Sequence, residues 1–313
     1  MDRLPGDQSV PAALRGAVVA LGNFDGFHLG HQAVVGRAMA RAREQGRPAL
    51  VVTFDPHPAR LFRPDAPPFL LTTLPQRMDL FDAFGVDGAL ALPFDRDMAA
   101  MSPQAFFEEW LVGRIGACGL VTGEDFTFGK DRAADTQALA AMAEAHGMEA
   151  EAIAPVAAEG GVVSSTRIRE HLRAGETAAA ARLLTRPFTI EGVVEHGSKL
   201  GRTIGFPTAN LRLGDYLRPR YGIYAVRGRL PDGRVLEGAA NLGVRPSFDP
   251  PVELLEPTFF DFSGDLYGQR IAVELIAHLR DEAKFDDLGA LTARIEADCA
   301  EARRVLAGIP AAL

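Results

Sequence analysis

The hydrophobic rhythm of this chain changes near residue 187, and that change limits the fold more than any single motif does. Before it, apolar runs at 18–21, 49–54, 86–92 and 119–122, with a weaker one at 148–154, alternate with stretches of helical spacing at 32–45, 74–84, 102–111, 135–146 and 176–184. Strands alternating with helices pair side by side through crossovers, so the first half predicts an α/β fold, a parallel sheet with helices on both faces. From Phe188 onward the segments shorten. F-T-I-E-G-V-V-E (188–195), G-I-Y-A-V-R-G-R-L (222–230), the turn P-D-G (231–233), V-L-E-G-A-A-N (235–241) and R-I-A-V-E-L-I-A (270–277) read as all-β and predict a small antiparallel barrel. Helical spacing returns over 288–306, which predicts a C-terminal helix across that barrel. Thr185-Arg186-Pro187 reads as the joint, giving domains 1–185 and 186–313.

Composition agrees with two cores, since 313 residues exceed the roughly 100–200 that one domain commonly holds. A net charge of −8 gives no general attraction to nucleic acid or anionic membrane, so any site for a phosphorylated ligand must be built locally. The two cysteines, Cys118 and Cys299, supply neither a disulfide scaffold nor a four-ligand zinc site. The N-terminus lacks the basic start and unbroken apolar core of a secretory signal, and no run reaches the ~18 apolar residues of a membrane span. A cytoplasmic protein with small-molecule partners is expected, and self-association is left open.

The densest chemistry follows the first strand, in G-N-F-D-G-F-H-L-G-H-Q (22–32). Gly22 and Gly26 permit a sharp turn, a helix is expected to start close to Leu29, and a helix N-terminus attracts anions. His28 and His31 share a face of that first turn and can hold a phosphoryl group as its charge grows; the spacing also fits a metal pair or a plain cap. Asp55 and His57, in D-P-H-P, fall at the carboxyl end of a strand, where ligands bind in open α/β sheets, although Asp55 equally suits a turn. In S-S-T-R-I-R (164–169) the hydroxyls of Ser164, Ser165 and Thr166 precede Arg169 at a helix start. That donor set suits a triphosphate, or an N-cap with solvated arginines. Residues 123–130 imitate a P-loop but have five residues between the glycines and Asp131 where Ser or Thr is needed, and no G-x-G-x-x-G occurs.

In the second half, H-G-S-K-L-G-R-T-I-G-F-P-T-A-N (196–210) offers a pliable loop whose Gly197, Gly201 and Gly205 amides, with Lys199 and Arg202, can wrap phosphates. Thr208 and Asn210, two apart on an extended segment, face one way as oxygen ligands for magnesium would, or serve as turn residues of a hairpin. Glu256 stands among apolar neighbours, where a carboxylate is paired or has a raised pKa, the latter being what a general base for an alcohol requires.

Four of these signatures, spread over roughly 16–305 and in the expected order, resemble those of the bacterial bifunctional riboflavin kinase/FAD synthetases: 22–32, 164–169, G-F-P-T-A-N at 205–210 and D-F-S-G-D-L-Y-G at 261–268. The resemblance implies a Rossmann-like nucleotidyltransferase domain followed by a riboflavin-kinase barrel. It implies that His28 and His31 stabilise the α-phosphate of ATP and that Asn23, Phe24, Asp25 and Gly26 seat the nucleotide with Asp55 and Asp125 close by. It also implies that Ser164, Ser165, Thr166 and Arg169 contact phosphates. In the barrel it implies Mg²⁺ with ATP on Thr208 and Asn210, Glu256 as acceptor of the ribityl hydroxyl proton, and Arg280 with Glu282 beside the flavin. Riboflavin, FMN and FAD would be substrates and products. The chain departs from relatives at Ala133-Ala134 and at Pro257-Thr258. Two other readings stay open: an adenylyltransferase for another phosphorylated substrate with an inactive barrel, and a flavin-binding carrier without turnover.

Overall fold

The computed structural model describes residues 1–6, 10–196, 206, 208–245, 252–285 and 287–310. The chain divides into two units, Met1–Pro67 with Thr72–Ser164, and Pro68–Leu71 with Ser165–Leu313.

In the first unit, strands β1 (Asp2–Pro5), β2 (Val18–Leu21), β3 (Ala49–Asp55), β4 (Gly88–Pro93), β5 (Gly119–Gly123) and β6 (Glu149–Ile153) form a wholly parallel sheet. Their order is β1-β4-β3-β2-β5-β6. The helices are α1 (Leu29–Glu44), α2 (Pro58–Phe62), α3 (Leu74–Phe84), α4 (Arg96–Ala100), α5 (Pro103–Phe106) and α6 (Thr136–Ala145).

Both sheet faces are covered, which is why the strands read as unbroken apolar runs. Val19 and Leu21 join Leu50, Val52, Leu90 and Leu92 in a core completed by Phe106, Trp110 and Leu139. Val18 and Ala20 point the other way, into a core completed by Val35 and Ala38 of α1 and Met78 and Phe81 of α3. Residues 18–21 are each at most 1% exposed, and burying a Val or Leu side chain contributes roughly 1.5–3 kcal/mol.

Two features depart from the sequence expectation. The edge strand β1 pairs with β4, Leu4 opposite Leu90, and is too short to show a pattern of its own. The helix expected over 102–111 continues from α5 as a π-helix, Phe107–Ile115, and ends at Gly116 with φ +66°. The wider winding still turns Phe107, Trp110, Leu111 and Ile115 inward.

In the second unit, α7 (Ser165–Ala174) packs on α8 (Thr177–Leu184), which in turn lies against strands of the same unit. Thr177 Oγ1 donates to the Ile276 carbonyl at 2.8 Å. Strands β9 (Phe188–Val193), β10 (Leu211–Arg212), β11 (Gly222–Arg229), β12 (Val235–Arg245), β13 (Val252–Phe259) and β14 (Arg270–Arg280) run antiparallel in the order β10-β13-β12-β11-β14-β9. The ring shuts where Glu195, just past β9, pairs with Asn210, its N–H donating to the Asn210 carbonyl at 2.9 Å. Helix α9 (Leu288–Ala307) lies against β11, β12 and β14, burying Ala302 and Leu306 on Ala225, Ala239 and Ile276. Arg227 reaches from β11 to the carbonyls of Leu306 at 3.1 Å and Pro310 at 3.0 Å, giving the helix C-terminus a cation.

Candidate active sites

The sheet order reverses at β2, whose neighbours are β3 and β5. In open α/β sheets the crevice beyond the carboxyl ends at such a reversal is where ligands bind, and residues 22–28 occupy it. Three of them hold left-handed backbone, Phe24 at φ +50°, Gly26 at +88° and Phe27 at +42°. Asp25 is 2% exposed and holds the turn closed. Its Oδ1 accepts from Thr72 N–H at 2.9 Å and Thr72 Oγ1 at 3.1 Å, while Gly26 N–H donates to Thr72 Oγ1 at 2.9 Å. Phe24 is buried, edge-on to His31 at 5.4 Å and to Phe81 at 6.0 Å, so its ring supports an imidazole from within the core.

His28 is the N-cap of α1, and its Nδ1 accepts the His31 N–H at 3.3 Å. With Nδ1 accepting, a neutral His28 ring carries its proton on Nε2 and presents a donor there. The two imidazoles stack at 3.6 Å with an 18° tilt. Gly30 leaves room for this: a Cβ there would lie 3.2 Å from His28 Cε1 and 3.3 Å from Nδ1. Capping and a donor role therefore reside in one ring.

Asp55 ends β3 with its side chain 47% exposed, and His57 caps α2, its Nδ1 accepting Ala59 N–H at 3.1 Å. Asp125 is exposed in the turn after β5. Ser164 directly precedes α7, and Ser165 and Thr166 open it. The Arg169 guanidinium lies within the second unit, Nε donating to the Phe69 carbonyl at 2.8 Å and Cζ 5.5 Å from that ring.

One cluster the sequence reading missed is an aromatic shelf beyond the strand ends. Phe54 of β3 meets Phe94 at 5.6 Å and Phe106 at 6.4 Å. Phe62 meets Phe94 at 6.0 Å and is 67% exposed, and Phe126 stacks on Phe128 at 5.7 Å. The sequence signal was a phenylalanine at or just past the carboxyl end of each of three strands, Phe54, Phe94 and Phe126, which apolar periodicity does not separate from core.

In the barrel, Gly197, Lys199, Gly201, Arg202 and Gly205 lie outside the described residues. Thr208 and Asn210 are described, and Ala209 N–H donates to the Pro257 carbonyl at 3.0 Å. The β10–β13 register, Leu211 opposite Leu255, carried one residue back sets Asn210 opposite Glu256. On the other side Asn241 of β12 is opposite Glu256. Directly opposed residues share a face, so the carboxylate has an amide on each flank. The Asn241 amide oxygen is buried without a hydrogen-bond donor among the described residues.

Of the two alternatives for Glu256, the structure adopts pairing: its carboxylate forms an ion pair with Arg245 of β12. Arg245 also lies 3.4 Å from Glu282 Oε1, whose carboxylate rests against the bare backbone of Gly243. Asn241 and Arg245 are functional candidates that motif reading passed over, because they join Glu256 only through strand pairing. Arg280 is turned onto α9, Nε and Nη2 gripping Asp298 at 2.8 and 2.5 Å. In the D-L-Y-G turn, Asp265 Oδ1 accepts Tyr267 N–H at 2.9 Å, and the Tyr267 ring lies 3.8 Å from that of His196, tilted by 36°. Among the described residues no group of three or more His, Cys, Asp or Glu is arranged to hold a metal.

A histidine-capped helix at the reversal of a parallel sheet, followed by a barrel with a carboxylate between two amides, gives the chain a candidate site in each of its two units. Residues 10–167 match the family described as FAD synthetase, and residues 184–306 that described as riboflavin kinase. The chain is 41% identical over 294 residues to the bifunctional riboflavin kinase/FMN adenylyltransferase of Pseudomonas fluorescens, covering 94% of both chains. It is 37% identical over 303 residues to that of Haemophilus influenzae, covering 97% of this chain and 98% of the other. A solved structure described as a macrolide-efflux protein from Streptococcus pneumoniae superposes with TM-score 0.86 at 31% identity, covering 97% of this chain and 99% of that one. In the present chain no described helix is long and apolar enough to cross a membrane. The chain belongs to the bacterial bifunctional riboflavin kinase/FMN adenylyltransferase family.

Proposed function

We propose that the barrel phosphorylates riboflavin to FMN and that the sheet domain joins FMN to the adenylyl group of a second ATP, giving FAD and pyrophosphate. The functional boundary falls at the joint 185–187, and both reactions run in the cytoplasm. The observation that carries the reading is the stacked His28–His31 pair on the first turn of α1, at the reversal of the sheet.

For adenylyl transfer, a phosphate oxygen of FMN attacks the α-phosphorus of ATP and the bond to the β-phosphate oxygen breaks. The nucleophile is already an anion, so positioning and charge stabilisation suffice and no general base is required. His28 Nε2 and His31 donate to the α-phosphate oxygens. Asn23, Gly26, Asp55 and Asp125 line the nucleotide, with Ser164, Ser165, Thr166 and Arg169 as phosphate contacts. Asp25 and Phe24 act by holding the loop. The shelf of Phe54, Phe62 and Phe94 suits an isoalloxazine ring, which stacks on aromatic faces.

For phosphorylation, the ribityl hydroxyl attacks the γ-phosphorus, ADP leaves and Glu256, once the incoming hydroxyl displaces Arg245 from its carboxylate, takes the proton. Gly197, Lys199 and Gly201 wrap the phosphates, and Glu282 borders the flavin; Arg280 acts from behind, through Asp298. Thr208 and Asn210 are hard oxygen donors of the kind Mg²⁺ prefers, and the ATP phosphates and water complete a shell the protein supplies only in part. Bound there, Mg²⁺ would neutralise charge on the transferred group.

The test is one assay: riboflavin, ATP and Mg²⁺ with the purified chain, products separated chromatographically. FMN appearing first and FAD after it is the expected outcome. Riboflavin left unchanged, or FMN accumulating with no FAD or pyrophosphate, refutes the reading.

A further inference from the structure

Arg77 of α3 is among the largest side chains that are fully buried, 1% exposed, and no motif included it. Its Nη1 donates to the Asn23 carbonyl at 2.8 Å, to Thr53 Oγ1 at 3.0 Å and to the Phe54 carbonyl at 3.5 Å. Thr53 Oγ1 donates to the same Asn23 carbonyl at 2.9 Å. Nη2 lies 3.7 Å from Asp55 Oδ1, and Nε and Nη2 are buried without a hydrogen-bond acceptor among the described residues.

As core filling this is a poor choice. A buried guanidinium with unused donors carries a desolvation cost that a methionine or leucine of similar reach avoids. Burial lowers the guanidinium below the ordinary arginine value, and the charges of Asp25 and Asp55 restore only part. What the cation holds explains its presence. Asn23 follows β2 and Asp55 ends β3, adjacent strands at the sheet reversal. The loop beginning at Asn23 adopts left-handed backbone at Phe24, Gly26 and Phe27, a shape that backbone preference alone does not maintain at phenylalanine.

We propose that Arg77 is a positioning residue for adenylyl transfer, acting through the Asn23 carbonyl and the Asp55 carboxylate to hold both strand ends in the arrangement that receives ATP. This rests on reading the first unit as the adenylyltransferase.

The experiment uses the full chain, with riboflavin phosphorylation as internal control. Arg77→Lys keeps a cation and loses the planar fork; kcat for FAD from FMN and ATP should fall about a hundredfold, the KM for ATP should move far less, and FMN formation should be unchanged. Thr53→Val removes the second brace on the same carbonyl and should lower the same kcat about tenfold. The double variant should fall little below Arg77→Lys alone, since both act through one carbonyl. Wild-type chain that makes no FAD refutes the underlying reading, a separate outcome. Given active wild type, unaltered kcat in folded Arg77→Lys, fully additive losses, or both activities declining together with melting temperature overturns the positioning role. If Arg77→Lys does not fold, Thr53→Val decides, and a normal adenylylation kcat there overturns it.

Discussion

His28 caps a helix with one ring nitrogen, and in the function proposed above it donates to phosphate with the other, so a single substitution would remove both roles from one place. We expect His28→Ala to lower FAD formation about 10²–10³-fold, the loss typical of one preorganised donor, and to cost roughly 1 kcal/mol of stability from the missing cap. FMN formation by the same preparation should be unaffected; product analysis with separately supplied riboflavin and FMN checks this. Glu256 is the mirror case. Glu256→Gln should lower FMN formation about 10²–10⁴-fold, as loss of a general base does, and spare FAD formation from supplied FMN. As candidates, the histidine pair was legible from its contiguous signature and the glutamate from its apolar neighbours. Arg77, Asn241 and Arg245 were not, because their meaning lies in partners far along the chain: 54 residues separate Arg77 from the Asn23 carbonyl it holds.

Strands covered on both faces announce themselves as apolar runs, which made β2 to β5 readable, while the two-residue β10 and the edge strand β1 carry too little pattern to be found. The winding of 107–115 was equally hidden, since the same residues turn inward in either kind of helix. The long helix α9 was anticipated, but what anchors it was not. Asp298 is 5% exposed and is gripped by Arg280, with Arg294 at 3.1 Å on its other side. Asp298→Ala leaves the Arg280 guanidinium, mostly buried, without its carboxylate partner, and a urea melt of the barrel should register a loss of roughly 3 kcal/mol. The alkaline limit of the same barrel follows from its tyrosines. Burial, with Glu253 as hydrogen-bond partner, pushes Tyr221 up to about 12, and burial raises Tyr224 as well. A phenol raised in the folded state gives stability that is complete below its unfolded pKa near 10 and is lost as pH climbs through the folded one. Ultraviolet titration should therefore show Tyr221 and Tyr224 ionising late, with barrel stability falling above pH ~10.

Two self-contained donor sets in one chain imply two separable activities. Mixing His28→Ala with Glu256→Gln should restore conversion of riboflavin to FAD, each protein supplying the step the other lacks, with FMN exchanging through solution. Absence of FAD from the mixture, when each variant retains its own half-reaction, would mean that FMN does not pass freely between molecules. The barrel adds a consequence of its own. Its ring is latched by the Asn210 carbonyl, and the amide of that same residue faces the proposed base. Springing the latch would part Asn210 from Glu256 while leaving most of the wall upright, so the kinase proposed here can fall silent by slackening well before it unravels.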